Sequence, residues 1–204
     1  MAQQNKNLHF LFHLKIWIAV GAIAFIISYF FLDIPCALYY AQISSETRAI
    51  AKFFTNLINP NYNFYFWALV YFVGALLLKK QRLGFLCLLI LISIPVANAA
   101  TSILKLFLAR IEPRLFLSEQ LYGFTFFAYR HPYLSFPSGH AATAGAIFGA
   151  WSCYYPRLTS WFALAAFLLA LTRIVLNAHF LSDVIVGTLI GLIISQWVFT
   201  LMKK

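Results

Sequence analysis

Charged side chains are scarce in this sequence: Asp, Glu, Lys and Arg make up 10% of its 204 residues. A soluble domain usually has about a quarter of its residues charged. With 63% of the residues hydrophobic, too little polar surface remains to cover a globule in water, which excludes an ordinary soluble protein. The sequence therefore predicts a protein embedded in lipid, and its length allows a single domain, residues 1–204.

Cysteine is also rare, with three residues in the whole chain. Cys87 and Cys153 lie inside apolar stretches and Cys36 lies just past the first one, so the spacing predicts neither a disulfide framework nor a metal quartet. Acidic residues number only five, whereas a metal site would need more carboxylates or a tight His/Cys cluster. We therefore expect no metal and no cofactor.

The basic excess is large, with a net charge of +10 at neutral pH. Such an excess can indicate nucleic acid, anionic lipid or phosphate as a partner. The basic residues are scattered between hydrophobic stretches and form no single patch, which argues against nucleic acid. We expect a bound phosphate, the lipid bilayer and the charge asymmetry of membrane loops to account for them. The sequence leaves the oligomeric state open.

Six hydrophobic stretches are present, at residues 16–32, 64–78, 85–104, 140–155, 161–176 and 184–202. A helix needs about 20 apolar residues to cross a bilayer, and flanking aromatic residues could extend the two short stretches into the interface. No small-residue cleavage site follows the first stretch, which favours a retained helix over a signal peptide. The predicted fold is all-α, an integral membrane bundle of six transmembrane helices.

Positive charge predicts the orientation of this bundle, because cytoplasmic loops carry an excess of Lys and Arg. One side of the six-helix arrangement holds Lys6, Lys15, Lys79, Lys80, Arg82, Arg157, Lys203 and Lys204. Both termini are then expected in the cytoplasm. The connections at residues 33–63, 105–139 and 177–179 are expected on the outer side.

Polar residues that a purely structural bundle would not need are concentrated in three segments. They are residues 105–114 (KLFLARIEPR), 137–140 (PSGH) and 173–183 (RIVLNAHFLSD). All three fall at the outer face of the predicted bundle. Ionisable groups in membrane helices are costly and mark functional sites, so the region 105–183 is the candidate catalytic core.

The segment PSGH is typical of a helix start that binds an anion. Proline fits the first turn of a helix, and the backbone N–H groups of Ser138 and Gly139 would face an incoming phosphate. His140, in the same turn, could protonate a leaving oxygen. The alternative is an ordinary helix start with an interfacial histidine.

The segment 173–183 predicts a nucleophile with its partner. With Asn177 as the N-cap of a helix, His179 and Asp183 lie four residues apart on one face. Asp183 would accept a hydrogen bond from one ring nitrogen of His179 and leave the other nitrogen nucleophilic. Arg173 would bind phosphate oxygens through its guanidinium. The alternatives are a structural His–Asp pair and an arginine that extends to the interface.

Three cations of the first segment complete the candidate site. Lys105, Arg110 and Arg114 could neutralise charge on a transferring phosphoryl group, with lipid headgroups as the alternative partners. In the resulting mechanism His179 attacks phosphorus and His140 protonates the leaving group. Water then hydrolyses the phosphohistidine, with His140 as base. Such a site is metal-independent.

These segments resemble the signature of the type 2 phosphatidic acid phosphatase superfamily, over about residues 100–190. That signature is lysine, six residues, Arg-Pro; then Pro-Ser-Gly-His; then Ser-Arg, five residues, His, three residues, Asp. Residues 137–140 match its second part in full. Arg173, His179 and Asp183 match the third part, with Thr172 in place of the usual serine. The resemblance implies a membrane phosphatase and says little about its substrate.

The first part of the signature departs from the family pattern. Lys105 and six further residues are followed by Glu112 and Pro113, which stand where the family has Arg-Pro, and a carboxylate there should repel phosphate. Pro113 biases Glu112 away from helical geometry, which could turn its side chain out of the site. We hypothesise that Arg110 or Arg114 supplies the missing charge and that Glu112 pairs with one of them.

The sequence thus predicts a lipid phosphate phosphatase at the periplasmic face of a bacterial inner membrane. Substrates implied by the resemblance are undecaprenyl pyrophosphate, phosphatidylglycerophosphate, phosphatidic acid and lipid A. Two alternatives stay open: a lipid phosphotransferase that uses the same site, and a transporter or structural bundle whose charged side chains line a path. The aromatic segment 115–136 is expected on the membrane surface, as an anchor or as a guide for a headgroup.

Overall fold

The computed structural model describes residues 2–128 and 130–203, and the side chains of 15–128 and 130–203. Over these ranges the chain forms helices and loops, with one isolated antiparallel bridge between Arg110 and Phe124. The α-helices are α1 (Ala2–Ile27), α2 (Asp33–Ala41), α3 (Ser45–Asn56), α4 (Pro60–Tyr71), α5 (Gln81–Leu108), α6 (Pro113–Glu119), α7 (Gly139–Tyr154), α8 (Thr159–Ala170), α9 (Thr172–Val175) and α10 (Leu181–Met202). The all-α class is confirmed for the described part of the chain.

Three irregular helical segments connect or extend these helices. The π-helical segments Ser28–Leu32 and Phe72–Leu77 follow α1 and α4, and the 3-10 turn Pro156–Leu158 precedes α8. In lipid, backbone polar groups must be satisfied within the chain, so apolar stretches of this length become helices. A π-helical turn widens the helix locally and re-aims the residues after it, here Asp33.

Four helical segments of the described residues are long and apolar enough to cross a membrane. They are Lys15–Ala41, Gln81–Leu108, Pro156–Val175 and Leu181–Met202. The two short hydrophobic stretches, 64–78 and 140–155, form α4 with its π-helical extension and α7. The protein is therefore a membrane protein with four helices of spanning length, and the count of six stays a prediction.

Helix α7 is the centre of the bundle and packs against α5, α8 and α10. Its buried residues are mostly alanine and glycine, which lets neighbouring backbones approach closely. Where α7 crosses α10, a Cβ atom on Gly191 would lie only 2.1 Å from the carbonyl oxygen of Ala142. With 16 residues, α7 is about 24 Å long, shorter than the ~30 Å hydrocarbon layer of a bilayer.

The helices bring the three polar segments to one end of the bundle. The loop before α7 meets the first turn of α10 through a hydrogen bond from the N–H of Ser138 to the carbonyl oxygen of Asp183, at 3.1 Å. Lys105, near the end of α5, reaches the loop before α7 by donating from its ammonium to the carbonyl oxygen of Leu134. The candidate site therefore lies where these three elements meet.

Candidate active site

His179 lies in the short loop between α9 and α10. The predicted N-cap, Asn177, has a left-handed backbone with φ 49°, and α10 begins only at Leu181, with Phe180 as its N-cap. The prediction that Asn177 starts this helix is therefore wrong. Asp183 is in the first turn of α10, and its carboxylate accepts the N–H of Phe180 at 2.8 Å, which caps the helix.

The imidazole of His179 is held by the backbone of Ser135. Its Nδ1 lies 2.8 Å from the carbonyl oxygen of Ser135 and 3.8 Å from Oδ2 of Asp183. The hydrogen bond predicted between His179 and Asp183 is thus replaced by one to Ser135. A carbonyl oxygen only accepts, so Nδ1 carries the proton and Nε2 keeps its lone pair. Burial lowers the pKa of His179 to about 4, so the ring is neutral at neutral pH.

Asp183 is fully buried beside this histidine. Its Oδ2 accepts the hydroxyl of Ser135 at 2.5 Å, and its Oδ1 accepts Nη1 of Arg110 at 2.5 Å. Ser135 therefore joins the two predicted partners, since its carbonyl holds His179 and its hydroxyl holds Asp183. Sequence reasoning missed Ser135, because a serine in an irregular loop belongs to no helical or motif pattern.

The start of α7 borders the same site. Ser138 is its N-cap, and the Ser138 hydroxyl accepts the N–H of Ala141 at 3.4 Å. The N–H of Ser138 itself donates to the carbonyl oxygen of Asp183, so the expectation that this N–H faces phosphate is wrong. Gly139 and His140 are the first two residues of α7. Their N–H groups have no acceptor inside the helix, an arrangement that is suited to binding an anion.

Lys105 and Arg173 bring positive charge to the two histidines. The charges of both act on His140 and on His179. The ammonium of Lys105 donates to the carbonyl oxygen of Leu134 and has further protons to donate. Nε of Arg173 is buried and has no hydrogen-bond partner among the described residues. Both cations thus keep donors that could bind phosphate oxygens, and their role in the site stays a prediction.

Arg110 lies beneath the site and does not face it. Its side chain is fully buried and joins two buried carboxylates, at 2.7 Å to Asp33 and 2.5 Å to Asp183. The predicted contact of Arg110 with phosphate is therefore contradicted, because its guanidinium is already occupied by the two carboxylates. Four aromatic rings lie 4.6 to 5.3 Å from its Cζ: those of Tyr29, Tyr122, Phe124 and Phe180.

The aromatic segment 115–136 is divided between the surface and this buried arginine. Phe126 and Phe127 are exposed, as expected of a segment at the membrane surface. Tyr122 and Phe124, in contrast, pack over the guanidinium of Arg110. The sequence could not predict this division, because aromatic residues are as common at membrane interfaces as around buried cations.

Glu112 is paired with a residue that the sequence did not suggest. Its Oε1 lies 2.7 Å from Nδ1 of His131, so the hypothesis that it pairs with Arg110 or Arg114 is wrong. Arg114 is exposed on α6, and its charge acts on Arg173. Of the two arginines considered as substitutes for the family's arginine, Arg114 remains available to an anion.

The sequence around these residues matches the pattern of a known protein family. The model of the PAP2 superfamily matches residues 82–204, which is more than half of the chain. The chain belongs to the PAP2 superfamily. This membership confirms the resemblance carried by residues 137–140 and 173–183, and the matched region contains every residue proposed for the site.

Curated relatives of this PAP2 chain are lipid A 1-phosphatases. The protein of that name from Rhizobium etli is 38% identical over 90 residues, which cover 44% of this chain and 39% of the relative. The one from Rhizobium johnstonii is 37% identical over 90 residues, covering 44% of this chain and 37% of the relative. The match therefore spans less than half the length of these relatives.

Two solved structures share the fold of this PAP2 chain. A transmembrane PAP2-type phosphatidylglycerolphosphate phosphatase from Bacillus subtilis has a TM-score of 0.64 and 19% identity, covering 94% of both chains. LpxE from Aquifex aeolicus has a TM-score of 0.58 and 22% identity, covering 85% of this chain and 98% of that one. At these identities the likeness concerns the fold, which is that of the membrane PAP2 proteins.

Proposed function

We propose that this PAP2 protein hydrolyses the phosphate of a membrane lipid, with His179 as the nucleophile. One observation carries the proposal. The carbonyl of Ser135 fixes the proton of His179 on Nδ1, which leaves the lone pair of Nε2 free beside the cations Lys105 and Arg173. A neutral imidazole next to fixed cations suits attack on a phosphoryl group, because the cations neutralise the charge of the group attacked.

The first step forms a bond between Nε2 of His179 and phosphorus. The bond from phosphorus to the lipid oxygen breaks, or in a diphosphate the bond to the bridging oxygen. Lys105, Arg173 and the first-turn N–H groups of α7 bind the remaining phosphate oxygens. His140 donates a proton to the departing oxygen. The products are a phosphohistidine and the dephosphorylated lipid.

The second step releases phosphate. Water attacks the phosphorus of the phosphohistidine, and the neutral His140 accepts a proton from that water. The bond between phosphorus and Nε2 breaks, so that His179 is again neutral and His140 is again protonated. The buried carboxylate of Asp183, 3.8 Å from Nδ1, stabilises the positive charge that the phosphorylated ring carries.

The substrates that we propose first are lipid A and phosphatidylglycerophosphate. Two relatives with 38% and 37% identity are lipid A 1-phosphatases, and a protein of the same fold is a phosphatidylglycerolphosphate phosphatase. Undecaprenyl pyrophosphate and phosphatidic acid follow from the family resemblance. The exposed Arg114 at the margin of the site is suited to a second anionic group on the lipid.

We further propose six membrane crossings in a bacterial inner membrane, with α4 and α7 added to the four helices of spanning length. The site would face the periplasm and both termini the cytoplasm. The positive-inside pattern supports this orientation, since the connections at the end opposite the site carry Lys79, Lys80, Arg82 and Arg157, and the C-terminal end of α10 carries Lys203.

The experiment is phosphate release by purified protein in detergent, from each of the four lipids, without any acceptor lipid. We expect release from at least one, and no release by His179→Ala. Arg157→Ala, which changes an exposed cation far from the site, is the control and should match the wild type. Transfer only after a second lipid is added would indicate a phosphotransferase. No release from any lipid by the wild type, or full activity of His179→Ala, would contradict the proposal.

A further inference from the structure

Three charged side chains, those of Asp33, Arg110 and Asp183, form a buried ion-pair network beneath the proposed nucleophile His179. The side chains of Asp33, Arg110 and Asp183 are each 0% exposed. Nη2 of Arg110 lies 2.7 Å from Asp33 and Nη1 lies 2.5 Å from Asp183. The three residues come from different elements: the start of α2, the loop after α5 and the start of α10.

Asp33 is as fully satisfied as Asp183. Its Oδ1 accepts the hydroxyl of Ser28 at 2.9 Å and the N–H of Ser182 at 2.9 Å. Its Oδ2 accepts the hydroxyl of Ser182 and lies 3.1 Å from the hydroxyl of Tyr122. A buried carboxylate with so many donors has a fixed position. Asp33 is therefore a rigid anchor for Arg110.

Arg110 also holds the loop that carries Ser135. The carbonyl oxygen of Arg110 accepts the N–H of Ser135 at 3.0 Å, while its guanidinium holds Asp183, which accepts the hydroxyl of Ser135. Ser135, which accepts the Nδ1 proton of His179, is thus linked to Arg110 directly through its backbone and indirectly through its hydroxyl and Asp183. These contacts link Asp33 to His179 without either Asp33 or Arg110 facing the site.

The charges of this buried ion-pair network also suit the reaction. Two carboxylates and one guanidinium leave one negative charge, so Asp183 is only partly neutralised by Arg110. The groups that face His179 from the neighbouring elements are Lys105, Arg173 and His140, of which the first two are basic side chains. The residual negative charge opposes these cations and favours the cationic ring that forms when His179 bonds to phosphorus.

We propose that Arg110 and Asp33 are positioning residues that fix Asp183 and the Ser135 loop, and thereby the ring of His179. The inference rests on the proposed function, because it concerns how that histidine is held for attack. Neither residue contacts the phosphate, so changes to them act on the chemical step and leave binding of the lipid almost unchanged.

The principal test is Asp33→Asn, which keeps the shape of the side chain and removes its charge. We expect kcat to fall on the order of tenfold to a hundredfold, as when a residue that orients a catalytic ligand is changed, with KM within about twofold of the wild type. Glu46→Gln is the matched control, since Glu46 is an exposed acidic residue of α3. It should leave both constants unchanged.

A milder second variant keeps the inference testable when Asp33→Asn does not fold. Tyr122→Phe removes a hydroxyl that accepts from Arg110 at 2.9 Å and contacts Asp33. We expect a fall in kcat of about twofold to tenfold, the range for one hydrogen bond, again with KM unchanged. Tyr154→Phe is the matched control, because its hydroxyl donates to the carbonyl oxygen of Arg82 at the far end of the bundle.

Melting temperatures in detergent are measured for all four variants, and kcat refers to the folded fraction. A fall in kcat at constant KM supports the inference. A rise in KM at constant kcat would overturn it, because Arg110 would then contribute to phosphate binding. Lowered melting temperatures with both constants unchanged would also overturn it, leaving a structural role only. Phosphate release by the wild type is measured first. If the wild type releases none, the proposed function fails; if it does and the variants behave as the controls do, only the present inference fails.

Discussion

At the scale of single residues, the contacts of His179 with the described residues fix one of its ring nitrogens, Nδ1. Nδ1 donates to a backbone carbonyl, and a backbone atom cannot change its protonation state. Nε2 is thereby kept unprotonated whatever the charge on Asp183. For the attack proposed above, Ser135 would set the tautomer, and Asp183 would stabilise the charge that develops on the ring.

The two halves of the proposed reaction should separate in the variant His140→Asn. The amide cannot accept a proton from water, so hydrolysis of the phosphohistidine slows strongly. With a diphosphate substrate the leaving phosphate needs less protonation, so the first step slows less. We expect radiolabelled phosphate to accumulate on the protein, measured after an alkaline quench, because phosphohistidine is stable in alkali. His179→Ala should carry no label, and an unlabelled His140→Asn that still turns over would contradict the mechanism.

The sequence was informative about residues with fixed spacing and less so about their partners. His140, His179 and Asp183 were predicted because their chemistry and separation along the chain suffice to suggest a site. The partner of Arg110 was not, since Asp33 lies 77 residues away and only the folded chain brings the two together. The partner of Glu112 was missed for the same reason, because only the folded loop brings His131 to it.

At the scale of elements, the site depends on how closely α10 approaches α7 and the loop before it. A Cβ atom on Gly187 would lie 2.4 Å from the carbonyl oxygen of Ser138, and one on Gly191 would lie 2.1 Å from that of Ala142. Both contacts involve backbone, which cannot move aside as a side chain can. The two glycines therefore set the distance between the elements that carry His140 and Asp183.

Adding one methyl group at these contacts should force the helices apart. We expect Gly191→Ala and Gly187→Ala each to destabilise the protein by about 1–3 kcal/mol, as overpacking does, and to lower the melting temperature in detergent. Gly187→Ala should also lower kcat, because it displaces Ser138. Gly21→Ala is the control: its Cβ would meet only the flexible end of Leu189. Unchanged melting temperatures for both α10 variants would show that the helices are not in tight contact.

The helices themselves could be largely predicted, because lipid leaves an apolar stretch no alternative to helical structure. Their ends were predicted less well. Asn177 has a side chain suited to an N-cap, but the loop takes a left-handed turn there, and α10 is capped instead by the carboxylate of Asp183. Tertiary contacts of Asp183 decide where this helix begins, and those contacts are not visible in the local sequence.

At the scale of the whole molecule, basic residues lie at both ends of the bundle. Lys105 and Arg173 lie at the candidate site, where they could neutralise a phosphate. Lys79 and Lys80, just before α5, and Arg82, in its first turn, lie at the other end. In such a site, the positive charge that would neutralise the phosphate is carried by protein side chains. Charge stabilisation by fixed cations needs no reorganisation during the reaction.

Removal of divalent metal ions should therefore leave the activity intact. We expect phosphate release in excess EDTA to equal release in its absence within about twofold, because Lys105 and Arg173 supply the charge that a metal would otherwise provide. The control is Lys105→Ala, which should lose most activity with or without EDTA. Loss of wild-type activity in EDTA, with recovery on adding magnesium or zinc, would contradict this expectation.

The short length of α7 has a consequence for the conditions in which the protein can work. In the arrangement of six crossings proposed above, a helix of about 24 Å in a layer of ~30 Å cannot reach both surfaces, and we expect its first turn to lie below the level of the surrounding headgroups. Dissolved salt screens exposed charges over about 10 Å at 0.1 M but penetrates such a recess poorly. We therefore expect the attraction between Lys105, Arg173 and a lipid phosphate to depend little on the salt concentration of the surrounding medium.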